Sequence, residues 1–184
     1  MSILGKNCDV ASTCGGVNIK LRAIEKTDIS LIQIWRNDER LRQYFREYRD
    51  FSITQLENWY NNMIVDNRFE FFIIEHKNKA VGIAGITYID WVNRHADVHF
   101  YIGEDFKWID DKHSPEAFDI ILDYGFNTLN LNKLWAEIYE IDKLKLEFFQ
   151  NRGFKIDANL RDHYYYKGKY YTSHILSLLK KEYE

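Results

Sequence analysis

The chain has 184 residues, of which 29% are charged and 46% hydrophobic, and a formal net charge of −3. This length suits one domain with a single core. No apolar run approaches the roughly 20 residues of a membrane span, and the weakly acidic charge gives no reason to expect a nucleic acid partner. The opening residues, MSILGKNCDV, lack the long apolar core of a signal peptide, so we expect a cytoplasmic protein without a membrane partner.

The first 16 residues differ from the rest of the chain. They include the small-residue stretch ASTCGG and are predicted to form a flexible tail, with residues 17–184 as a single domain. The tail contains both cysteines, Cys8 and Cys14. Their spacing is not CxxC and no His or Cys cluster follows, so we predict no metal site and no catalytic thiol. A pair of free thiols is the default interpretation, and a disulfide between them stays open.

The N-terminal half alternates between strand and helix patterns. Residues 17–24 predict a first strand, and the apolar spacing in KTDISLIQIWRND predicts a helix. Ser52 and Gln55 have the spacing of a capping box and predict the start of a further helix. The runs RFEFFIIEH and KAVGIAGITYID predict a hairpin that turns at residues 77–79.

The stretch from residue 94 to residue 154 has the clearest pattern. Alternating apolar residues predict a strand over 94–104. Ser114 and Pro115 predict a helix start, because a hydroxyl cap and a proline in the first turn are typical of that position. A second strand is predicted over 132–140, then a short helix that ends at Gly153. The remaining residues predict a last strand pair that turns at 167–169.

Four segments in this stretch, in this order, resemble the GNAT superfamily of N-acetyltransferases. The segments are YIGE (101–104), EAFDIILDYGF (116–126), LWAEIYE (134–140) and FFQNRGF (148–154). The resemblance runs from about residue 19 to the C-terminus, and it is closest to the branch that acetylates N-terminal amines of ribosomal proteins and various small amines. It implies an α/β (α+β) fold: a mixed twisted sheet of about six to seven strands, helices on both faces, and a V-shaped splay between two central parallel strands.

The resemblance also implies an activity. The protein would be an acetyl-CoA-dependent N-acetyltransferase that moves an acetyl group to a primary amine of a small amine, an amino sugar or a protein N-terminus. Transfer would be by direct attack in a ternary complex, with acetyl-CoA as co-substrate and no metal. A homodimer stays open. The alternatives are a non-catalytic acyl-CoA-binding or scaffold protein of the same fold, and a transferase that uses a different acyl donor.

In this family acetyl-CoA lies where two parallel strands diverge, here residues 97–103 and 135–139. The pantetheine arm would pair with the open edge of the first strand. The pyrophosphate would bind at the start of the helix at Ser114, because that end has unsatisfied N–H groups and a positive dipole. The predicted co-substrate-binding residues are Phe100, Tyr101, Ile102, Gly103, Lys112, His113, Ser114, Asp142 and Phe149.

Two positions depart from the family pattern. The family's phosphate loop reads Q/R-x-x-G-x-G/A, whereas WIDDKHSP (108–115) contains no glycine and has two aspartates that would repel phosphate if they faced it. A modified working loop and a decayed loop are both open. Phe149 stands where many relatives have a tyrosine that protonates the leaving thiolate, and phenylalanine has no proton to donate. Tyr139 or His113 is the predicted substitute, or the thiolate leaves without help.

A general base is predicted on the strand that contains Asp97, His99 and Tyr101, which share one face. His99 is the first candidate, because an imidazole pKa near 6.5 suits proton transfer at neutral pH, with Asp97 as its orienting partner. A buried, hydrogen-bonded His99 without a catalytic role is weighed about equally. The predicted catalytic residues are therefore His99, Asp97 and Tyr139, and the predicted acceptor-binding residues are Arg36, Asp90 and Trp91. For Asp90 and Trp91 a surface turn is the simpler alternative, and for Arg36 the alternative is a cap at a helix end.

Overall fold

The computed structural model describes residues 18–183. Its strands are β1 (Ile19–Ala23), β2 (Glu70–His76), β3 (Lys79–Asp90), β4 (His95–Ile102), β5 (Lys133–Tyr139), β6 (Lys155–Tyr166) and β7 (Lys169–Leu179). Its α-helices are α1 (Ile29–Asn37), α2 (Glu39–Arg42), α3 (Ile53–Met63), α4 (Ser114–Asp123), α5 (Lys143–Gln150) and α6 (Lys180–Tyr183). Two 3-10 turns (Lys26–Asp28 and Glu104–Phe106) and a π-helical turn (Tyr124–Thr128) complete these elements.

The seven strands form one mixed sheet in the order β1-β2-β3-β4-β5-β7-β6. The neighbours β4 and β5 run parallel, and the other neighbours run antiparallel. The parallel pairing begins with His95 opposite Lys133 and ends with Asp97 opposite Trp135. Within the described chain both strands continue past that point without a further pair. The predicted mixed sheet and its V-shaped splay are confirmed.

Helices cover both faces of the sheet. Neighbouring residues on a strand point to opposite faces, and Phe100 and Tyr101 at the splay show what lies on each side. The Phe100 ring packs edge-on against Phe118 of α4, with 5.2 Å between ring centres. The Tyr101 ring meets Trp35 of α1 edge-on at 6.3 Å. Helices α1 and α4 therefore lie on opposite sides of β4, as the sequence predicts.

Local signals in the sequence fix several element ends. The Ser52 hydroxyl accepts the N–H of Gln55 at 3.2 Å, and the Gln55 side chain accepts the N–H of Ser52 at 2.8 Å, which confirms the predicted capping box of α3. The β2–β3 hairpin turns through Lys77 and Asn78, which both have positive φ. Gly153 ends the last long helix with a φ of +85°, the left-handed conformation that glycine adopts without a steric penalty.

The buried apolar side chains form one cluster that extends from Ile19 in β1 to Leu178 in β7. The predicted tail, residues 1–16, lies outside the described residues. Between residues 18 and 183, none of the helices combines the length and the apolar character that a bilayer crossing requires.

Candidate active site at the strand splay

Two carboxylates lie on one face of the sheet at the point where β4 and β5 diverge. Asp97 is opposite Trp135, and Glu137 follows two residues later on β5, so their side chains share a face. Arg46 contacts both: Nη2 is 3.2 Å from Asp97 Oδ2, and Nε is 3.0 Å from Glu137 Oε2. Burial raises the pKa of Asp97 to about 6, although the nearby positive charges of Arg46 and Lys145 oppose that rise.

His99, the first candidate for the base, is surrounded by rings. It lies edge-on to Phe71 at 5.5 Å and to Tyr101 at 5.6 Å between ring centres. Burial lowers the pKa of His99 well below 6.5, and neighbouring cations act in the same direction. A group with so low a pKa binds a proton weakly. The directions of the two pKa shifts therefore favour Asp97, predicted only as the orienting partner, over His99 as the base.

A cavity of about 130 Å³ opens beside His99, between α1, α3 and the sheet. Its lining residues are Ile32, Arg36, Phe51, Leu56, Trp59, Phe71, Ile83, His99 and Tyr101. The predicted acceptor residue Arg36 thus lies where an acceptor could bind. A larger depression of about 610 Å³ is lined by residues 159–163 of β6 alone and is open to solvent, so it has no wall from a second element.

The other two predicted acceptor residues do not reach this cavity. Asp90 organises the β3–β4 turn, where its Oδ1 accepts the N–H groups of Val92 and Asn93 at 3.0 and 2.7 Å. The Trp91 indole is exposed and donates to the carbonyl of Asn67 at 3.2 Å. Both contacts are those of a surface turn, and neither side chain lines the cavity. The geometry gives the prediction of an acceptor contact for Asp90 and Trp91 no support.

Helix α5 brings a lysine to the splay that the sequence analysis did not single out. Lys145 Nζ donates to the carbonyl of Phe100 at 3.0 Å and lies 4.4 Å from the centre of the Trp108 ring. Burial lowers the pKa of Lys145 to about 8, against the attraction of Asp142 and Asp97. The spacing along α5 could have indicated Lys145. It stands three residues after Asp142 and four before Phe149, so it shares a helix face with the position predicted for the proton donor.

Phe149 and Asp142 stabilise α5 rather than line an open cleft. The Phe149 ring is fully buried and lies 4.6 Å from that of Phe118 in the core. Asp142 caps the helix: Oδ1 accepts the N–H of Lys145 at 3.1 Å, and Oδ2 accepts the indole N–H of Trp108 at 2.6 Å. These internal contacts occupy the side chains that were predicted to meet the co-substrate.

Tyr139, the predicted proton donor on β5, is also held in place. Its ring stacks on that of Tyr164, with 3.8 Å between centres and 6° between planes. Burial raises the pKa of Tyr139 well above 10, and the charge of Glu137 adds to the rise. A phenol with so high a pKa retains its proton, so Tyr139 is a weaker proton donor than the lysine of α5.

Asp110 binds backbone and side-chain groups of its own loop, just before α4. Asp110 Oδ1 accepts the N–H groups of His113 and Ser114 at 2.7 and 3.0 Å, and Oδ2 lies 2.7 Å from His113 Nδ1. The buried His113 ring also contacts His76, at 3.3 Å between Nε2 and Nδ1. The backbone donors predicted to bind pyrophosphate are therefore engaged by a carboxylate. Lys112, the other predicted phosphate ligand, is exposed beside them.

The free backbone groups at the splay show which parts of acetyl-CoA the site can hold. Beyond Asp97, β4 has no strand neighbour on the β5 side, which leaves an edge for an extended ligand arm. Ile102 is not part of that open edge, because its N–H and carbonyl pair with Trp108 at 2.8 and 3.0 Å. The N–H of Gly103 is bound to Val81 at 2.9 Å. The splay therefore fits the arm only in part, because Lys145 already donates to the Phe100 carbonyl at 3.0 Å. The phosphate end fits only when Asp110 gives up its contacts.

The described residues contain no group of three His, Cys, Asp or Glu side chains placed to hold a metal ion.

The chain is similar to known acetyltransferases over most of its length. The spermidine N(1)-acetyltransferase of Escherichia coli K12 is 22% identical over 166 residues, which cover 90% of this chain and 88% of the relative. The spermidine N(1)-acetyltransferase of Vibrio cholerae is 25% identical over 171 residues, with 90% and 95% coverage. A crystal structure of the Vibrio cholerae spermidine N-acetyltransferase in complex with CoA and spermine superposes with a TM-score of 0.83, at 24% identity and 90% and 97% coverage.

These relatives are named for polyamine acceptors, not for ribosomal proteins, so the similarity supports the predicted superfamily but not the predicted branch. A family model described as an acetyltransferase (GNAT) domain matches residues 21–175. The chain therefore belongs to the GNAT acetyltransferase family and, as the sequence predicts, is an acetyl-CoA-dependent N-acetyltransferase.

Proposed function

We propose that the protein acetylates the primary amine of a small molecule that binds between α1, α3 and β4. The observation that carries this proposal is the pair of carboxylates, Asp97 and Glu137, which Arg46 joins at the splay, on the sheet face that also presents His99 and Tyr101 to the cavity. An amine reaches the enzyme as an ammonium ion, and two carboxylates at this point attract it. Arg46 then has to yield part of its contact with them to the incoming cation.

Asp97 is the proposed base. With a pKa raised to about 6 it is ionised at pH 7 to 8, yet it binds a proton more readily than an exposed aspartate does. Its Oδ2 takes a proton from the acceptor ammonium and leaves a neutral nitrogen that can attack. Glu137 keeps the site negative while that proton is transferred, and His99 remains a neutral wall of the pocket.

Lys145 is the proposed source of the second proton. Acetyl-CoA supplies an activated thioester. The CoA thiolate that departs needs a proton or a positive charge nearby. Lys145 carries an exchangeable proton at Nζ beside the open edge of β4, and its pKa of about 8 permits it to lose and regain that proton near neutral pH. Lys145 thus takes the proton-donor role of the tyrosine that many relatives have at the position of Phe149.

The acceptor class and the oligomeric state belong to the proposal as well. Spermidine and spermine, named for the relatives, are the first small amines to assay, and a protein N-terminus remains a second class. One Vibrio cholerae relative is described as dodecameric. We propose that this chain also self-associates, since β1 and β6 are the outer strands of its sheet and present edges to a neighbour. Sedimentation at several concentrations tests this.

Thiol release from acetyl-CoA, followed across a panel of amines, tests the proposed function. We expect amine-dependent thiol release by the wild type and a loss of at least about 100-fold in Asp97→Asn. Asp111→Asn is the matched control, because Asp111 is exposed on the loop before α4 and is given no role. Thiol release that does not depend on any amine, or an Asp97→Asn variant as active as the wild type, would contradict the proposal.

A further inference from the structure

We propose that the acceptor carries an anionic group, a carboxylate or a phosphate, at the end remote from its amine, and that Arg36 binds this group. The inference rests on the proposed function and names its substrate class. It differs from the polyamine acceptors of the relatives, which carry positive charge along their whole length.

Arg36 is a cation without a counter-ion. Among the described residues it makes no hydrogen bond and no ion pair, and its guanidinium stacks on the rings of Phe45 and Phe51, with 3.8 and 5.2 Å to their centres. The Glu47 carboxylate, whose charge acts on Arg36, is held by Arg49 at 2.8 and 2.9 Å. Guanidinium groups that are partly shielded from water are ordinarily paired, and Arg36, which is partly buried, lines the cavity, where a bidentate anion can pair with it.

Two further polar groups line the cavity. The Tyr101 hydroxyl is buried with no hydrogen-bond partner among the described residues, which is a costly state unless a ligand supplies one. Burial holds His99 neutral, so its ring can donate or accept one hydrogen bond without adding charge. No Asp or Glu lines the cavity. An ammonium ion placed there would meet Arg36 and no carboxylate, whereas an anion would meet the guanidinium and the phenol.

The spacing along β4 sets the length of the acceptor. At about 3.3 Å per residue, Asp97 and Tyr101 are roughly 13 Å apart between Cα atoms, with His99 halfway. An amine at Asp97 and an anion beside Tyr101 are thus separated by several bonds, which favours an acceptor longer than an α-amino acid. The cavity holds about four water molecules at roughly 30 Å³ each, enough for a carboxylate and a short aliphatic chain.

Matched pairs of acceptors test the inference, because members of a pair differ mainly in the charge at the remote end. The pairs are 5-aminopentanoate against 1,5-diaminopentane, and glucosamine 6-phosphate against glucosamine; the first probes a carboxylate and the second a phosphate. We expect kcat/KM of the acid to exceed that of its partner at least tenfold in one of the pairs. Calorimetry of the same acids without acetyl-CoA gives a binding readout that needs no turnover.

Arg36→Met is the decisive variant and Arg36→Lys its control. We expect Arg36→Met to bring the ratio within the pair to about one and to abolish binding of the acid, and Arg36→Lys to retain part of both, because lysine keeps the charge without the fork. Where Arg36→Met does not fold, Tyr101→Phe replaces it. That change removes a hydroxyl without breaking a hydrogen bond, and it should weaken binding of the acid severalfold.

The outcomes separate the two proposals. Turnover of diamines at least as fast as of the acids in the wild type, or equal losses for both members of a pair in Arg36→Met, would overturn the inference and leave the acetyltransferase function standing. Arg36-dependent binding of an acid without thiol release by any acceptor would uphold the anion site and refute the proposed function.

Discussion

Replacing Asp97 by asparagine should stabilise the protein while it removes the activity. The carboxylate is nearly buried, and its pKa rises from 3.8 to about 6 on folding. An ionised Asp97 therefore costs the folded state about 2.303RT per unit of that rise, or about 3 kcal/mol in all. Asparagine has the shape of the protonated acid and no charge, so the variant avoids this cost.

The sign of the effect gives it a distinctive pH dependence. Because the folded pKa is raised, the cost of the charge is fully present above pH 6 and disappears as the pH falls towards 4. The gain in unfolding free energy for Asp97→Asn should thus be about 3 kcal/mol at pH 8 and about half of that at pH 5. Urea unfolding at both pH values measures it, with Asp111→Asn as the matched control.

Two results would refute this reasoning. A variant less stable than the wild type at pH 8 would mean that the contact between Asp97 and Arg46 stabilises the fold more than burial of the charge destabilises it. A gain of equal size at pH 5 and pH 8 would mean that Asp97 does not titrate in this range, and the proposed base would lose its physical justification.

Four further predictions concern the pH–rate profile, the loop before α4, the core beside α5 and the end of β4. The kcat/KM of the wild type should fall tenfold per pH unit below about 6, as Asp97 becomes protonated, in a pH–rate profile. Asp110→Ala should tighten CoA binding about tenfold in calorimetry, because it frees two N–H groups and removes a charge, whereas Asp111→Ala should not. Phe149→Tyr should lower the unfolding free energy by about 2 kcal/mol without raising kcat, since the hydroxyl enters an apolar core. Gly103→Ala should lower it by about 3 kcal/mol in urea unfolding, because a Cβ there would lie 2.1 Å from the indole of α1.

The sequence predicts the sheet and its splay well because the signals are local. Alternation over β4, the proline in the first turn of α4 and the glycine after α5 each act within a few residues of where they stand. The occupied helix start was equally local, since Asp110 lies only three and four residues before His113 and Ser114, whose N–H groups its carboxylate accepts. The Asp110 carboxylate was expected to repel phosphate. It instead accepts the backbone N–H groups that were predicted to bind phosphate.

The composition of the candidate site could not be predicted in the same way. Arg46 reaches Asp97 across 51 residues of sequence, and no local pattern indicates that contact. The exchange of roles that we propose between His99 and Asp97 has the same origin: burial weakens the histidine as a base and strengthens the aspartate. Such shifts depend on tertiary packing, which periodicity and capping signals do not describe.

Mass spectrometry of the acceptor distinguishes acetyl transfer to an amine from loss of the thiol alone. After incubation with acetyl-CoA and 5-aminopentanoate or glucosamine 6-phosphate, we expect an acceptor that gains one acetyl group on nitrogen in step with thiol release. We also expect Asp97→Asn to form almost none of this product although it is the more stable protein. Thiol release without an acetylated amine, or an acetylated product from Asp97→Asn at the wild-type rate, would contradict the proposed function.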